Sequence, residues 1–242
     1  MLYLDARLAA AAVGLSLAAG CGLISSDVTN FDLMLPDKKF TIDASGWVVD
    51  TTDKNLFDNG QLKAMQCNSA PPMLCSSAVH QVCSSDCSGT CDPVANSCEL
   101  SLDVSRPLKV DLLTEQPDLK TINDQPVIKV SIDSVTYAVM SNSLNVDTPE
   151  IGVYVAPISA LKPNDPQAKL IGTIPAVPAM TTSDFQALMF TPTGKAALVD
   201  IMSTFKTPFN VLVASSLVVR AGQMLPTGKL EAVVRIRGHA GL

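Results

Sequence analysis

The stretch "VIKVSIDSVTYAVM", Val127 to Met140, decides the fold class. Its apolar residues alternate: Ile128, Val130 and Ile132 form one set, and after Asp133-Ser134 the beat resumes at Val135, Tyr137 and Val139. A period of two marks a half-buried β-strand, because successive side chains point to opposite faces. The phase changes where no turn-forming signal breaks the chain, which predicts a β-bulge near Asp133-Ser134.

The same pattern extends in both directions. "EIGVYVAP" (150–157), "AKLIGTIP" (168–175), "FNVLVASSLVVRAG" (209–222) and "GKLEAVVRIRG" (228–238) read as further strands, separated by turn-rich pieces such as "LKPNDPQ" and "MLPTGK". Toward the N-terminus Phe31, Leu33 and Leu35 alternate, then Phe40 and Ile42, with Pro36-Asp37 between them as a turn or kink. Leu100, Leu102 and Val104 follow the last cysteine, and Leu108, Val110 and Leu112 carry the beat past Pro107. Short strands at this spacing predict a mainly β protein, an antiparallel β-sandwich. One amphipathic helix interrupts it. Thr191 is placed as N-cap and Pro192 at the first helical position, with Leu198, Ile201, Met202 and Phe205 on one face and Pro208 beyond the end. Such a helix is expected to lie across a sheet or close its end; a lid over an apolar cavity is the alternative.

The chain opens "MLYLDARLAAAAVGLSLAAGC", in which Arg7 precedes an uncharged run from Leu8 to Gly20. Thirteen helical residues reach only about 20 Å, against a hydrocarbon core of roughly 30 Å, so the layout is that of a removable signal peptide and not of a permanent span. Ala18, Ala19 and Gly20 before Cys21 resemble the lipobox of bacterial lipoproteins, with alanine, in place of the usual leucine, three residues before the cysteine. The resemblance covers residues 1–22. It implies that Cys21 is acylated and becomes the mature N-terminus, and Gly22 after it resembles an outer-membrane sorting signal more than an inner-membrane one. Several acyl chains on Cys21 would hold the protein on its membrane, since one chain anchors marginally. From Cys21 to Val28 the tether spans less than about 30 Å even when extended.

Six further cysteines, Cys67, Cys75, Cys83, Cys87, Cys91 and Cys98, crowd into one segment. In an exported chain an even six reads as three disulfides. Zinc or an iron-sulfur cluster would favour C-x-x-C pairs, and none occurs. Fifteen pairings remain open. If Pro71-Pro72 opens a helix through "MLCSSAVHQVC", Cys75 and Cys83 lie about 12 Å apart along it, so each needs a partner elsewhere. A Cys67–Cys98 bridge would close a loop worth roughly 3–4 kcal/mol. "SSDCSGTCDPVANS" is rich in turn formers and short of apolar residues, so sulfur bridges are expected to order it.

Removing residues 1–20 takes away one Arg and one Asp, leaving 222 residues and the net charge at −6. That length can bury a real core. The acidic balance excludes a nucleic-acid surface, which needs clustered cations; only Lys38-Lys39 and Arg235-x-Arg237 come close, and both read as solvent-facing strand residues. His80 and His239 are the only histidines, and no G-x-S-x-G elbow supports a serine nucleophile. Lone His80 reads as a surface residue. Gly194-Lys195 lacks the companions of a phosphate loop and reads as a helix N-terminus. Asp50, Asp53 and Asp58 beside Asn55 and Asn59 do not follow the EF-hand order and read as a solvated turn before Gly60. Trp47 is the sole tryptophan, so a stacked aromatic platform is poorly supplied; it is expected in the core or at a sheet edge.

The resulting organisation is a signal peptide (1–20), a lipidated tether (21–28), N-terminal strands (29–66), a cysteine-rich insertion (67–98) and the remainder of the sandwich (99–242). The expected role is a non-enzymatic cell-envelope lipoprotein, periplasmic or surface-facing, with an envelope protein as partner and neither cofactor, metal nor catalytic residue. Two alternatives stand beside it: a lipid or apolar-ligand binder, and a metal-binding or enzymatic use of the cysteine segment.

Overall fold

The computed structural model describes residues 31–67, 73–83, 86–122 and 128–241. The expected signal peptide, the expected lipidation site Cys21 and the expected tether lie outside the described residues. Two antiparallel sheets face each other. In the first, β1 (Phe31–Met34) and β2 (Lys38–Asp43) pair in succession with β13 (Lys229–Gly241), which pairs with β7 (Lys129–Asn142), and β7 with β10 (Ser183–Ala187). The second has the order β11 (Met189–Phe190), β9 (Lys169–Ile174), β8 (Ile151–Pro157), β12 (Phe209–Val219), β6 (Ser97–Val110), β5 (Cys87–Asp92). The protein is thus an antiparallel β-sandwich.

The expected bulge is present. Arg237 pairs with Ser134 and Gly238 with Ile132, so Asp133 is the extra residue, and Ile128, Val130, Ile132, Val135, Tyr137 and Val139 all face the core. Pro36-Asp37 separates β1 from β2, two pieces of one kinked edge along β13. Pro107 lies within β6, opposite Leu212, beyond the point where β5 stops pairing; its missing N–H is therefore on an open flank. Leu112 leaves the strand and begins a short helix, α2 (Leu112–Glu115), yet remains buried.

The space between the sheets is filled. Aliphatic side chains of both sheets form one cluster with Phe205, Phe209, Leu198 and Met202, each at most 1% exposed. The last helix, α3 (Gly194–Ser203), contributes Leu198 and Met202, so it plugs the core and is not a lid. It begins later than the Thr191-Pro192 signal predicts, with Thr193 as N-cap. Thr191 is still held by β9: its N–H donates to Ile171 O and its hydroxyl to Leu170 O. Gly194 then passes so close to β9 that a Cβ would fall 1.8 Å from Ile171 O.

The six-stranded sheet outreaches its partner, and β6 records this along its length. Val104 and Val110 face the sandwich core, Leu100 and Leu102 face a second cluster, and Cys98 faces a third. The overhang is covered by a module comprising the hairpin β3 (Phe57–Asp58) and β4 (Gln61–Leu62), the helix α1 (Met73–Val82) and β5. Leu56, Phe57, Leu62, Val79 and Val82 pack on Leu100, Leu102 and Val219. α1 crosses β5 at Gly89, where a Cβ would meet Cys75 O at 2.4 Å. The cysteine segment is therefore not ordered by sulfur alone: it pairs with β6 and owns a small core. Trp47 bridges the two regions, packing on both clusters and donating from Nε1 to Asp103 O at 3.1 Å.

Candidate functional site

All six cysteines of the segment are paired: Cys67–Cys91, Cys75–Cys98 and Cys83–Cys87. Cys75 and Cys83 indeed have partners off the helix, while Cys67 bonds Cys91 and not Cys98. Opposed residues of an antiparallel pair share a face, so Cys91 and Cys98, in register, both reach inward to their partners. Oxidised sulfur has no thiolate to give a metal, and among the described residues no group of three or more His, Cys, Asp or Glu is arranged to hold one. Three disulfides are the chemistry of an oxidising, extracytoplasmic compartment. Among the described residues no helix is long and apolar enough to cross a membrane.

The other sequence candidates fall apart spatially. His80 is exposed on α1. His239 stands on the outer face of the first sheet, with Nδ1 2.9 Å from Asp133 and Nε2 3.3 Å from Asp32, so both ring nitrogens face carboxylates and neither is left for a serine. Asp50 and Asp53 act as local turn caps, accepting from the backbone N–H groups of Thr52 and Asn55. The Thr52 hydroxyl and N–H together hold the Asp50 carboxyl below the usual carboxylate range.

Two cationic pairs are less solvent-facing than their sequence implies. Lys38 reaches Glu115 at 2.6 Å with both side chains largely buried. Arg235 makes a two-pronged bond to Asp37, both distances 2.8 Å, while its guanidinium lies 3.7 Å from the centre of the Phe185 ring. The Arg235 bond holds the Asp37 carboxyl below its ordinary range. Arg237 donates to Leu35 O. These groups lock the β1–β2 kink to β13 and to the edge strand β10.

A groove of about 590 Å³ lies on the outer face of the six-stranded sheet. Three elements build it. The sheet gives Asp103, Gly152 and Tyr154; the module gives Asp86; the segment after β8 gives Lys162 and Asn164. That segment is strapped onto the sheet by Asn210, itself buried, whose amide donates to Ile158 O at 3.1 Å and Ala160 O at 3.0 Å. Ala156, Ala160 and Leu212 fill the space beneath, and the Ser105 hydroxyl donates to Leu161 O. Lys162 then spans to Asp86 at 3.4 Å, linking the strap to the disulfide module. On the floor, the Tyr154 ring covers Gly152; a Cβ there would sit 2.6 Å from the ring edge, so only glycine lets the ring lie down. Among the described residues, the side chains of Asp103 and Glu150, both exposed, have no hydrogen-bond or ion-pair partner.

Sequence reasoning missed this groove, since its parts come from residues 86, 103, 150, 154 and 162 and no local motif joins them. Comparison with known families, curated proteins and solved structures gives no match for the chain.

Proposed function

We propose that this is a cell-envelope lipoprotein, held on its membrane through acylated Cys21, that presents a disulfide-bonded module for structural or protein contact and performs no catalysis. The observation that carries the reading is the placement of the two ends. Phe31, the first described residue after the tether, pairs with Ala240 at the end of β13. The module packs where β13 begins: Gln61 bridges to Met224, and the Gly222 N–H donates to Leu62 O. Thirteen residues of β13 separate the two levels, about 40 Å of strand. A membrane attached upstream of Phe31 would leave the module at the far end of the sandwich, exposed to neighbours. At its tip Val94 is 95% exposed.

Two experiments test this. Metabolic labelling with a palmitate analogue should mark the wild-type protein in the membrane fraction and leave Cys21→Ser unlabelled; absence of label from wild type would overturn the anchor. A photo-crosslinker at position 94 should capture a protein neighbour in intact cells more efficiently than one at exposed Asp32 near the tether; equal or absent capture would overturn the presented module.

A further inference from the structure

We propose that the groove beside Tyr154 binds a hydroxyl-rich saccharide chain. Its volume of about 590 Å³ lies within the roughly 300–1,000 Å³ of small-molecule sites, and it is partly open to solvent, so a chain ligand could continue beyond it. The chemistry of the walls narrows the ligand. Asp103 and Glu150 offer carboxylate oxygens, which only accept hydrogen bonds, so a ligand must bring donors. Lys162, the one cation on the wall among the described residues, is already paired with Asp86, which leaves the groove acidic and unsuited to phosphate or nucleic acid. Exposed carboxylates and hydroxyls also make the walls too polar for a lipid tail.

The floor supplies the second half of the match. Gly152 and Ala214 are small, and the Tyr154 ring lies over Gly152. A sugar ring has an apolar C–H face and a rim of hydroxyls that both donate and accept. Laid on this floor, its face meets the aromatic ring while its rim meets Asp103, Glu150 and the strand hydroxyls such as Ser216. The strap is fixed from below by Asn210, so the groove is formed before any ligand arrives. This inference does not depend on acylation of Cys21.

Calorimetric titration of the full chain in detergent, with chitotriose as an N-acetylated amino sugar and cellotriose as a neutral hexose, tests it. Saturable one-to-one binding of either is expected, and the preferred one identifies a wall-type or a plain polysaccharide source. Asp103→Asn with Glu150→Gln, both at exposed positions, should weaken binding at least tenfold while circular dichroism stays unchanged. Gly152→Ala, which forces the Tyr154 ring up, should weaken it without touching the carboxylates. No saturable binding of either sugar at millimolar concentration would overturn the proposal. So would tighter binding of a lysine-rich peptide than of both sugars, or full affinity in the carboxylate double variant.

Discussion

The two halves of β6 end in different kinds of interior. Its C-terminal half faces a wide aliphatic core closed from both sides by sheet, where Phe205, Phe209 and Leu198 are almost wholly inaccessible. Its N-terminal half faces a core of a few side chains, Leu56, Phe57, Leu62, Val79 and Val82, backed by three sulfur bridges. The same strand supports both, so strand propensity is not what differs. What differs is the surface available to bury: a small module cannot offset its chain entropy by apolar burial alone, and cross-links that restrict the unfolded chain make up the remainder.

Breaking the large core should cost most. Phe205→Ala removes a fully buried ring and should lower the stability of the whole protein by about 3–5 kcal/mol, read by thermal or denaturant unfolding. Both regions should melt together. On the module side, replacing Cys75 and Cys98 by Ala opens a link of 23 residues and should cost about 3.5 kcal/mol by the chain-entropy relation. Here hydrogen exchange should rise in residues 73–92 and leave β7 and β13 protected; uniform loss of protection would mean that the two cores are one cooperative unit. Replacing Cys83 and Cys87, only four residues apart, should cost nearer about 2 kcal/mol and leave the other two bridges formed, checked by mass spectrometry after thiol blocking.

The smallest expected effect concerns acid. Asp37 has a folded-state pKa below its unfolded value because of Arg235, so an unfolded chain binds the proton more readily. The stabilisation is present above the ordinary carboxylate range and is lost as pH falls through the depressed folded value. Asp37→Asn should therefore lower stability at neutral pH and flatten its decline below pH ~4, measured as midpoint against pH. A decline as steep as wild type would assign the acid sensitivity to other carboxylates, such as Asp50.

Legibility in the sequence followed the range of the interactions involved. The Asp133 bulge was readable because a strand with one buried face must keep its phase, and a slip in phase has one cheap structural solution. Local capping rules place the α3 start too early because a long-range pairing of Thr191 with β9 holds that residue in the sheet. Ser183 to Phe190 carries no clean alternation, since β10 and β11 are edge strands with mostly exposed residues on both faces, so its pattern does not signal a strand. β5 was hidden by its turn-forming composition; register with β6 and packing under α1 make it a strand. The Lys38–Glu115 and Arg235–Asp37 pairs join residues 77 and 198 positions apart, beyond any motif. The disulfide state was legible from the even cysteine count and the signal-like start; the pairing was not, because it depends on how α1 lies across β5.

The placement of Trp47 has a practical consequence. The chain has one indole, and it sits on the seam, touching both interiors and bonded to the main chain of β6. Its emission is thus a native gauge of that seam: a red shift on mild reduction, arriving before loss of the far-ultraviolet β signal, would time the detachment of the cross-linked cap from an otherwise intact pair of sheets without any added dye.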